Sequence, residues 1–272
     1  MDAYHPDTLL LEFFSASEPL IIFDIGACEG ESSVFYQQLF KEAHLFAFEP
    51  VPDNFSLAQR RTSSFPNIQL FDLALSKENG TATFHLSSGR PDHATADDPV
   101  DYGNKSSSLL PPDRHTETHQ WLKFETTLTV QTQRLDDFCQ QHNISSIDFI
   151  HIDVQGAELM VFEGAPSMMR AVKCIWMEVE EIELYKNQPL RPEVERFMQK
   201  LGFLKYYDTV GSISGDQFYV QRRFFIAHKG YMAYLGCLLH NQWREVERWL
   251  HKNTFYQQAM YYKNRIFSII AR

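Results

Sequence analysis

Short apolar runs alternate with segments of helical periodicity through most of the chain. Residues 20–27 are almost continuously apolar and end at a glycine turn, a pattern typical of a strand buried on both faces of a parallel sheet. The same reasoning predicts further strands at 44–48, 67–75, 126–135, 147–154 and 174–179. Between them it predicts helices at 31–41, 51–61, 156–172 and 191–201, the third broken near Gly164 and Pro166.

Two more strands, at residues 203–208 and 217–221, follow with only a glycine-containing turn between them. Alternating strands and helices predict an α/β fold with a doubly wound sheet, and the closing pair predicts an antiparallel strand at one edge. We place this domain at residues 1–221.

Two segments do not follow the alternation. Residues 87–120 are rich in Gly, Pro, Ser, Asp and His and have little periodicity. Insertions of this length in compact domains are usually functional lids or disordered segments, and we favour a lid on the substrate side. Residues 222–272 form the second segment, an α-helical C-terminal extension with helices predicted at 231–239 and 242–250.

Charge separates the two parts of the chain. The 272 residues carry 25 Lys and Arg against 35 Asp and Glu, a formal net charge of −10. The extension has nine positive residues against Glu245 and Glu247, a net charge of +7, which leaves −17 for residues 1–221. The acidic domain argues against a nucleic-acid partner, because phosphate contacts need a cationic face. The basic, aromatic-rich extension could contact a membrane surface or an anionic glycan, or pack on its own domain or on a second subunit in a homodimer.

Several other classes are disfavoured. The sequence contains no run of ~18 apolar residues, so we expect no transmembrane segment. The first 18 residues lack the basic start of a secretory signal. The four cysteines have no metal-ligand spacing, so we expect reduced thiols, no metal site and a cytoplasmic location.

The most informative stretch for chemistry follows the first strand. Asp24 leads into a turn with Gly26 and Gly30, and Glu49 ends the next strand, nineteen residues past Gly30. Glycines let a backbone pass close to a ligand, and an acidic residue at the second strand end can bind both hydroxyls of a ribose. Cys28 interrupts the dinucleotide pattern G-x-G-x-x-G, and the nearby carboxylates would repel a pyrophosphate. The cationic donor S-adenosylmethionine suits this turn better.

Four motifs extend this interpretation. They are Asp24-Ile-Gly-Ala, Phe46-Ala-Phe-Glu-Pro50, Asp72-Leu-Ala-Leu75 and Ile150-His-Ile-Asp-Val-Gln-Gly-Ala-Glu158 with Glu163-Gly-Ala165. In this order and spacing, residues 20–219 resemble the FkbM family of class I methyltransferases, including the Ser106–Leu109 tract and Leu135-Asp-Asp137. The resemblance implies a seven-stranded Rossmann-like sheet, S-adenosylmethionine as donor, and an oxygen acceptor on a sugar, a glycan or a secondary metabolite.

The resemblance also implies roles for individual residues. Asp24, Gly26 and Gly30 would shape the methionine end of the donor site, and Glu49 would hold the ribose. Asp72 and Leu73 would lie beside the adenine, and Asp153 near the methyl group. For the acceptor we name Ser107, in the serine tract, and Glu178, at the end of the fifth strand, where a carboxylate could contact substrate hydroxyls or a hard cation.

Two positions depart from the family pattern. His151 stands where the family commonly has Lys, and Gln155 where it commonly has Glu. His151 and Asp153 share one face of a strand, with Cα atoms ~6.6 Å apart. Histidine is well suited to accept a proton near neutral pH. Three interpretations stay open: His151 is the base and Asp153 orients it, Asp153 is the base, or His151 is a hydrogen-bonded core residue.

The leading hypothesis is an S-adenosylmethionine-dependent O-methyltransferase acting on a hydroxyl of a sugar, a glycan or a related secondary metabolite. The alternative is a catalytically silent relative with the methyltransferase fold that serves in binding or assembly, in which His151 and Gln155 mark decay. A nucleotide-dependent oxidoreductase is disfavoured by Cys28 and the carboxylates of the turn.

Overall fold

The computed structural model describes residues 6–91 and 103–252, and the chain divides into two compact units, Met1–Gln221 and Arg222–Arg272. The strands are β1 (Ile21–Ile25), β2 (His44–Phe48), β3 (Ile68–Phe71), β4 (Ala74–Leu75), β5 (Gly80–Ser88), β6 (Lys123–Gln133), β7 (Ile147–Ile152), β8 (Val172–Glu180), β9 (Phe203–Asp208) and β10 (Ser214–Gln221). The helices are α1 (Pro6–Leu10), α2 (Glu31–Leu39), α3 (Pro52–Thr62), α4 (His115–Thr118), α5 (Leu135–Gln141), α6 (Glu158–Glu163), α7 (Arg191–Lys200), α8 (Arg222–Lys229) and α9 (Tyr231–Lys252).

A seven-stranded sheet organises the first unit, in the order β3-β2-β1-β7-β8-β10-β9. The first five strands in this order are mutually parallel, whereas β10 runs antiparallel to β8 and β9. This confirms the predicted α/β fold with an antiparallel edge. The strands β1 and β7 lie side by side although 121 residues separate their ends, Ile25 and Ile147, so their carboxyl ends open at one edge of the sheet.

The apolar runs of these strands are buried as the pattern predicts. Four of the five residues of β1 and of β2 are buried. A cluster of aromatic rings, including Phe23, Phe48 and Phe138, packs against one face of the sheet, with Phe48 and Phe138 centroids 4.8 Å apart. This rigid layer supports the strand ends where the candidate site lies.

The prediction of one strand at residues 67–75 is wrong. The chain leaves the main sheet after β3, and β4 joins a second sheet in the order β4-β6-β5. Residues 74–75 pair with β6 rather than β2, and Ala74 packs against Phe84 and Val130 in a small core of its own. The apolar pattern is the same on both sides of the break, so periodicity could not separate the two strands.

The insertion predicted at 87–120 has more local structure than its composition suggests. Its described part contains the end of β5, a 3-10 turn at Gly103–Ser106, the helix α4, and a bridge between Ser108 and His85. Residues 92–102 lie outside the described residues.

The second unit contains α8 and α9. The segments predicted to be helical, 231–239 and 242–250, both lie in α9, which runs unbroken through residues 240 and 241, where neither glycine nor proline interrupts it. Met232, Leu239, Trp243 and Val246 are exposed on α9 and fall on one face at helical spacing. Within residues 6–91 and 103–252, no helix combines the length and the apolar character needed to cross a membrane.

Candidate functional site

A cavity opens at the carboxyl ends of β1, β2 and β7. About 890 Å³ of empty space, including open solvent at the mouth, lies between its lining residues. Six residues predicted from the sequence line it: Gly26, Glu49, Leu73, Ser107, His151 and Asp153. The cavity therefore brings together strand ends and the insertion, which are distant in the chain.

The turn between β1 and α2 forms one wall. Gly26 has φ +86°, and a Cβ added there would lie 1.9 Å from the backbone oxygen of Asp153. Gly30 has φ +82° and precedes the first turn of α2. These two positions need glycine for conformation and, at Gly26, for space.

Glu49 fastens this turn from the end of β2. Its carboxylate accepts hydrogen bonds from the backbone N–H of Cys28 (2.9 Å) and of Val51 (2.8 Å). Burial raises the pKa of Glu49 to about 7, although these hydrogen bonds act in the opposite direction. Glu49 thus presents a buried, hydrogen-bonded carboxyl group at the cavity wall.

Asp24 does not line the cavity; it lies fully buried behind His151. Its Oδ2 accepts a hydrogen bond from the hydroxyl of Ser33 (2.5 Å), and its Oδ1 lies 2.9 Å from Nδ1 of His151. A carboxylate oxygen accepts, so Nδ1 carries a hydrogen, and Nε2 keeps its lone pair whenever the imidazole is neutral. The structure thus gives His151 an orienting partner other than the Asp153 of the sequence interpretation, because β1 and β7 pair Asp24 directly with His151.

The environment of His151 favours its protonated form. Burial lowers the pKa of the imidazole, but the hydrogen bond to Asp24 and the carboxylates of Asp24, Asp153 and Asp216 outweigh this and raise the pKa above its usual range. His151 is therefore a stronger base than a free histidine, in a position where it reaches the cavity.

Asp153 lies just beyond the end of β7. Nε2 of Gln155 donates a hydrogen bond to its Oδ1 (2.7 Å), and no residue in the described part of the chain bonds its Oδ2. Gln155 also lines the cavity and has φ +56°. Sequence reasoning noted Gln155 only as a departure from the family pattern, since its contacts join residues remote in the chain.

Glu178 stands outside the cavity lining, with its Oε2 3.5 Å from Nε2 of Gln155. Burial, followed by the charge of Asp153, raises the pKa of Glu178 to about 8. The pKa values of Glu158, Glu180 and Asp216 are raised as well, again chiefly by burial. Within the described ranges, no three His, Cys, Asp or Glu side chains are placed to hold a metal ion.

The two residues predicted to lie beside the adenine, Asp72 and Leu73, differ in their environment. Leu73 lines the cavity, whereas the Asp72 side chain is exposed and does not. Ser107 lines the cavity with its Oγ 3.1 Å from Oγ of Ser87.

The insertion supplies two lining residues that sequence reasoning missed, Asn104 and Lys105. Asn104 donates to Glu29 (3.0 Å), and Lys105 lies 3.3 Å from Glu31, which Arg61 also contacts. The carboxylates of the turn are thus partly neutralised, and the acidity expected of this loop is weaker than the sequence suggests. The sequence offered one signal for these residues, since both are polar and directly precede the serine tract.

His115, in α4 of the insertion, is buried against Tyr185, with ring centroids 5.0 Å apart. Burial lowers its pKa to about 4.

Several known proteins are similar to this chain. Residues 24–205 match the family model described as the methyltransferase FkbM domain. The chain is 36% identical over 172 residues to the 2-O-methyltransferase NoeI of Sinorhizobium fredii, covering 63% of this chain and 68% of that protein. It is 23% identical over 172 residues to the hexuronic acid methyltransferase AglP of Haloferax volcanii, covering 63% of this chain and 59% of the relative. The structure of TrmK from M. capricolum with S-adenosylhomocysteine aligns over 100% of this chain and 99% of that one, with a TM-score of 0.42 and 10% identity. The family match spans most of the first unit and includes the strand ends that form the cavity, so the chain belongs to the FkbM family of S-adenosylmethionine-dependent methyltransferases.

Proposed function

We propose that this protein transfers the methyl group of S-adenosylmethionine to a hydroxyl group of a sugar or glycan. The observation that carries the proposal is the Asp24–His151 pair, which places a base at the cavity beside Asp153. Two relatives whose names specify 2-O-methylation and hexuronic acid methylation support an oxygen acceptor of the sugar type.

The residues around the cavity fit the donor. The turn at Gly26 and Gly30 leaves its backbone open for close approach, and Glu49 places a carboxyl group where a ribose diol can bind. Leu73 offers an apolar surface on which the adenine ring of the donor can pack. Asp24 lies behind this wall and acts through His151, and Asp72 is exposed and outside the cavity lining.

We assign proton removal to His151. The bound donor supplies a methyl group on a sulfonium, which makes the carbon electrophilic and the departing sulfur a neutral thioether. Nε2 of the neutral His151 would take the proton that the acceptor hydroxyl loses on receiving the methyl group. Asp24 holds the imidazole in the Nδ1–H tautomer and stabilises the imidazolium, while Oδ2 of Asp153 accepts a hydrogen bond from a neighbouring hydroxyl of the acceptor. Alignment of the reacting atoms supplies much of the remaining rate.

The charge on Asp153 limits which acceptors can bind next to it. A hydroxyl that reaches Asp153 comes close to Glu178 and Asp216, whose pKa values are already raised by burial and by Asp153. A second anion there would be repelled. We therefore infer that the methylated ring is neutral or cationic where it meets the carboxylate of Asp153.

Transfer of a labelled methyl group tests the proposal. We would assay neutral hexosides, amino sugars and hexuronic acids, each free and within oligosaccharides, together with calorimetric binding of S-adenosylhomocysteine. Binding of S-adenosylhomocysteine and labelling of a neutral or amino sugar are expected, and His151→Asn should lower the rate about 10²–10⁴-fold without lowering donor affinity. The exposed His142→Asn serves as control. Tight donor binding without methylation of any sugar would favour the silent binding protein, and failure to bind S-adenosylhomocysteine would remove the methyltransferase function.

We further propose that residues 1–221 form the catalytic domain and that 222–272 attach it to an anionic membrane surface. The exposed apolar face of α9 and the positive charge of this segment support the proposal, since interfacial helices combine the two features.

Sedimentation of the full chain with phosphatidylcholine vesicles, with and without phosphatidylglycerol, tests this attachment. Binding should require the anionic lipid and should weaken in Leu239→Ser/Val246→Ser but not in Leu11→Ser, an exposed leucine of the first unit. A dimer in light scattering that the same double variant dissociates would instead assign the face to a second copy.

A further inference from the structure

Gln155 adopts a backbone conformation that side chains disfavour. It has φ +56° and precedes Gly156 at φ +90° in the turn between β7 and α6. A residue with a Cβ in this region is held there by its surroundings, and such positions concentrate at functional sites. The surroundings of Gln155 are therefore informative.

Every polar group of the Gln155 side chain is engaged. Nε2 donates to Oδ1 of Asp153 (2.7 Å), and Oε1 accepts from the hydroxyl of Tyr185 (3.1 Å). The backbone oxygen of Gln155 accepts from Oγ of Ser108 (2.8 Å), while the Tyr185 hydroxyl shares its one hydrogen between Oε1 of Gln155 and the nearer backbone oxygen of Ser106 (2.6 Å). Gln155 thus connects the strand end that carries Asp153 with the insertion that lines the cavity.

The amide group suits both of its partners in this chain. One end donates to a carboxylate and the other accepts from a phenol, and an amide does both without charge and without needing to be protonated. Oε2 of Glu178 lies 3.5 Å from Nε2, so a carboxylate at position 155 would face two others. Its donor would be lost and like charges would be brought together.

We propose that Gln155 is a positioning residue for methyl transfer, which fixes Oδ1 of Asp153 and leaves Oδ2 to face the acceptor. It also makes this orientation depend on the insertion through Tyr185 and Ser108. The inference rests on the proposed function in one respect only, the role of Asp153 at the acceptor. The geometry of Gln155 and its effect on Asp153 can be measured without either substrate.

The first test replaces the amide with a carboxylate. In Gln155→Glu, Asp153 and the new glutamate should share a proton, which moves the titration midpoint of the Asp153 carboxyl upward by about one pH unit or more. Carbon-13 NMR of selectively labelled aspartate reads this in the free protein, with the resonance assigned from Asp153→Asn. The acidic limb of the pH–rate profile should move in the same direction. Asn143→Glu is the control, since it adds the same charge at the same φ of +56° but on an exposed loop.

The second test separates positioning from folding. Asparagine tolerates this backbone region better than glutamine, but its shorter side chain cannot hold both Asp153 and Tyr185. Gln155→Asn should therefore keep or raise the melting temperature while kcat falls about 10-fold, with the KM for S-adenosylmethionine nearly unchanged. Tyr185→Phe combined with Gln155→Asn should lose less than the product of the single losses, because the two residues act through one network.

Three results decide the inference. An unchanged Asp153 titration in Gln155→Glu would overturn it, as would a loss of activity in Gln155→Asn that follows a matching loss of stability. Fully multiplicative losses in the double variant would remove the link to the insertion. Because the NMR titration needs no ligand, a protein that fails to bind S-adenosylhomocysteine would refute the proposed function while leaving the effect of Gln155 on Asp153 measurable.

Discussion

Two turns at the same edge of the sheet, one after β1 and one after β7, enclose the cavity by different means. Both enter the left-handed backbone region, and each is fastened by a buried carboxyl group. Glu49 accepts from the N–H of Cys28 in the first turn. Glu158 accepts from the N–H of Val154 (3.1 Å) and of Gly156 (3.2 Å) in the second.

The difference lies in what each turn contributes. The first turn requires glycine, because Gly26 lies against the backbone of Asp153 and leaves no room for a side chain. The second depends on a side chain, because Gln155 keeps its strained backbone and uses its amide on Asp153. The comparison indicates that the first turn is limited by space and the second by hydrogen bonds, so substitutions in the two should fail in different ways.

Gly26→Ala should have the largest effect. A Cβ would lie 1.9 Å from the oxygen of Asp153, and φ +86° disfavours alanine, so one of the two turns must move. We expect a loss of about 3 kcal/mol in unfolding free energy and no measurable S-adenosylhomocysteine binding in calorimetry. Gly80→Ala is the matched control, with φ +139° and nothing within 4 Å of its added Cβ; it should lose about 1 kcal/mol and bind normally. Equal behaviour of the two variants would show that space at Gly26 is unimportant.

Asp24→Asn should come next, because Asp24 connects the strand of the first turn to His151 on the strand of the second. The amide no longer selects the Nδ1–H tautomer, so kcat should fall about 100-fold or more while donor affinity stays within a few-fold. Nitrogen-15 NMR of labelled histidine should show His151 losing its fixed tautomer. Asp148→Asn, another buried aspartate of β7, should leave that tautomer intact. A fixed Nδ1–H in Asp24→Asn would remove Asp24 from the orientation of the base.

The variants Glu49→Gln and Glu158→Gln compare the two buried carboxyl groups that hold these turns. Only Glu49 lines the cavity, so only its variant should weaken S-adenosylhomocysteine binding, by about 10-fold. Similar affinity losses in both variants would mean that the carboxyl groups act only through the fold.

Glu49 also makes the free energy of unfolding depend on pH, and the sign of this dependence follows from its raised pKa. The folded protein keeps this proton up to about pH 7, whereas a free glutamate releases it near 4.5. Its contribution to stability is therefore full below about pH 4.5 and is lost as the pH rises through 7. Urea unfolding from pH 4.5 to 8 should show a shallower decline in Glu49→Gln than in the native protein, and an identical slope would contradict the raised pKa.

Gly30→Ala should have the smallest effect. Its Cβ would meet Ala58 and Thr62 at 3.3 Å, a contact that small shifts can relieve, although φ +82° still disfavours alanine. We expect a loss of about 1 kcal/mol in thermal unfolding and only a few-fold loss of donor affinity. An effect as large as that of Gly26→Ala would place the steric limit of the turn at its helix end instead.

Much of the fold was predictable because it is encoded locally. Apolar runs indicated the strands β1, β2, β7 and β8, and the glycine spacing indicated the turn before α2. The break between β3 and β4 was not predictable, since Phe71 and Ala74 belong to one apolar pattern but pair with different sheets.

The candidate site was predictable in part. Gly26, Glu49, Leu73, Ser107, His151 and Asp153 were each named from motifs and line one cavity. Motif spacing gave no indication that Asp72 lies outside the cavity lining, because this residue stands where the chain leaves the main sheet between β3 and β4.

The sequence by itself determined the order of strands and helices, the glycine turn and the kinds of chemical group near the donor. These follow from backbone preferences and burial periodicity, which act between neighbours in the chain. Only the tertiary structure decided that Asp24 orients His151, 127 residues away, and that Gln155 holds Asp153 while contacting the insertion. Those contacts depend on which strands pair and in what register, and a linear pattern does not carry that information.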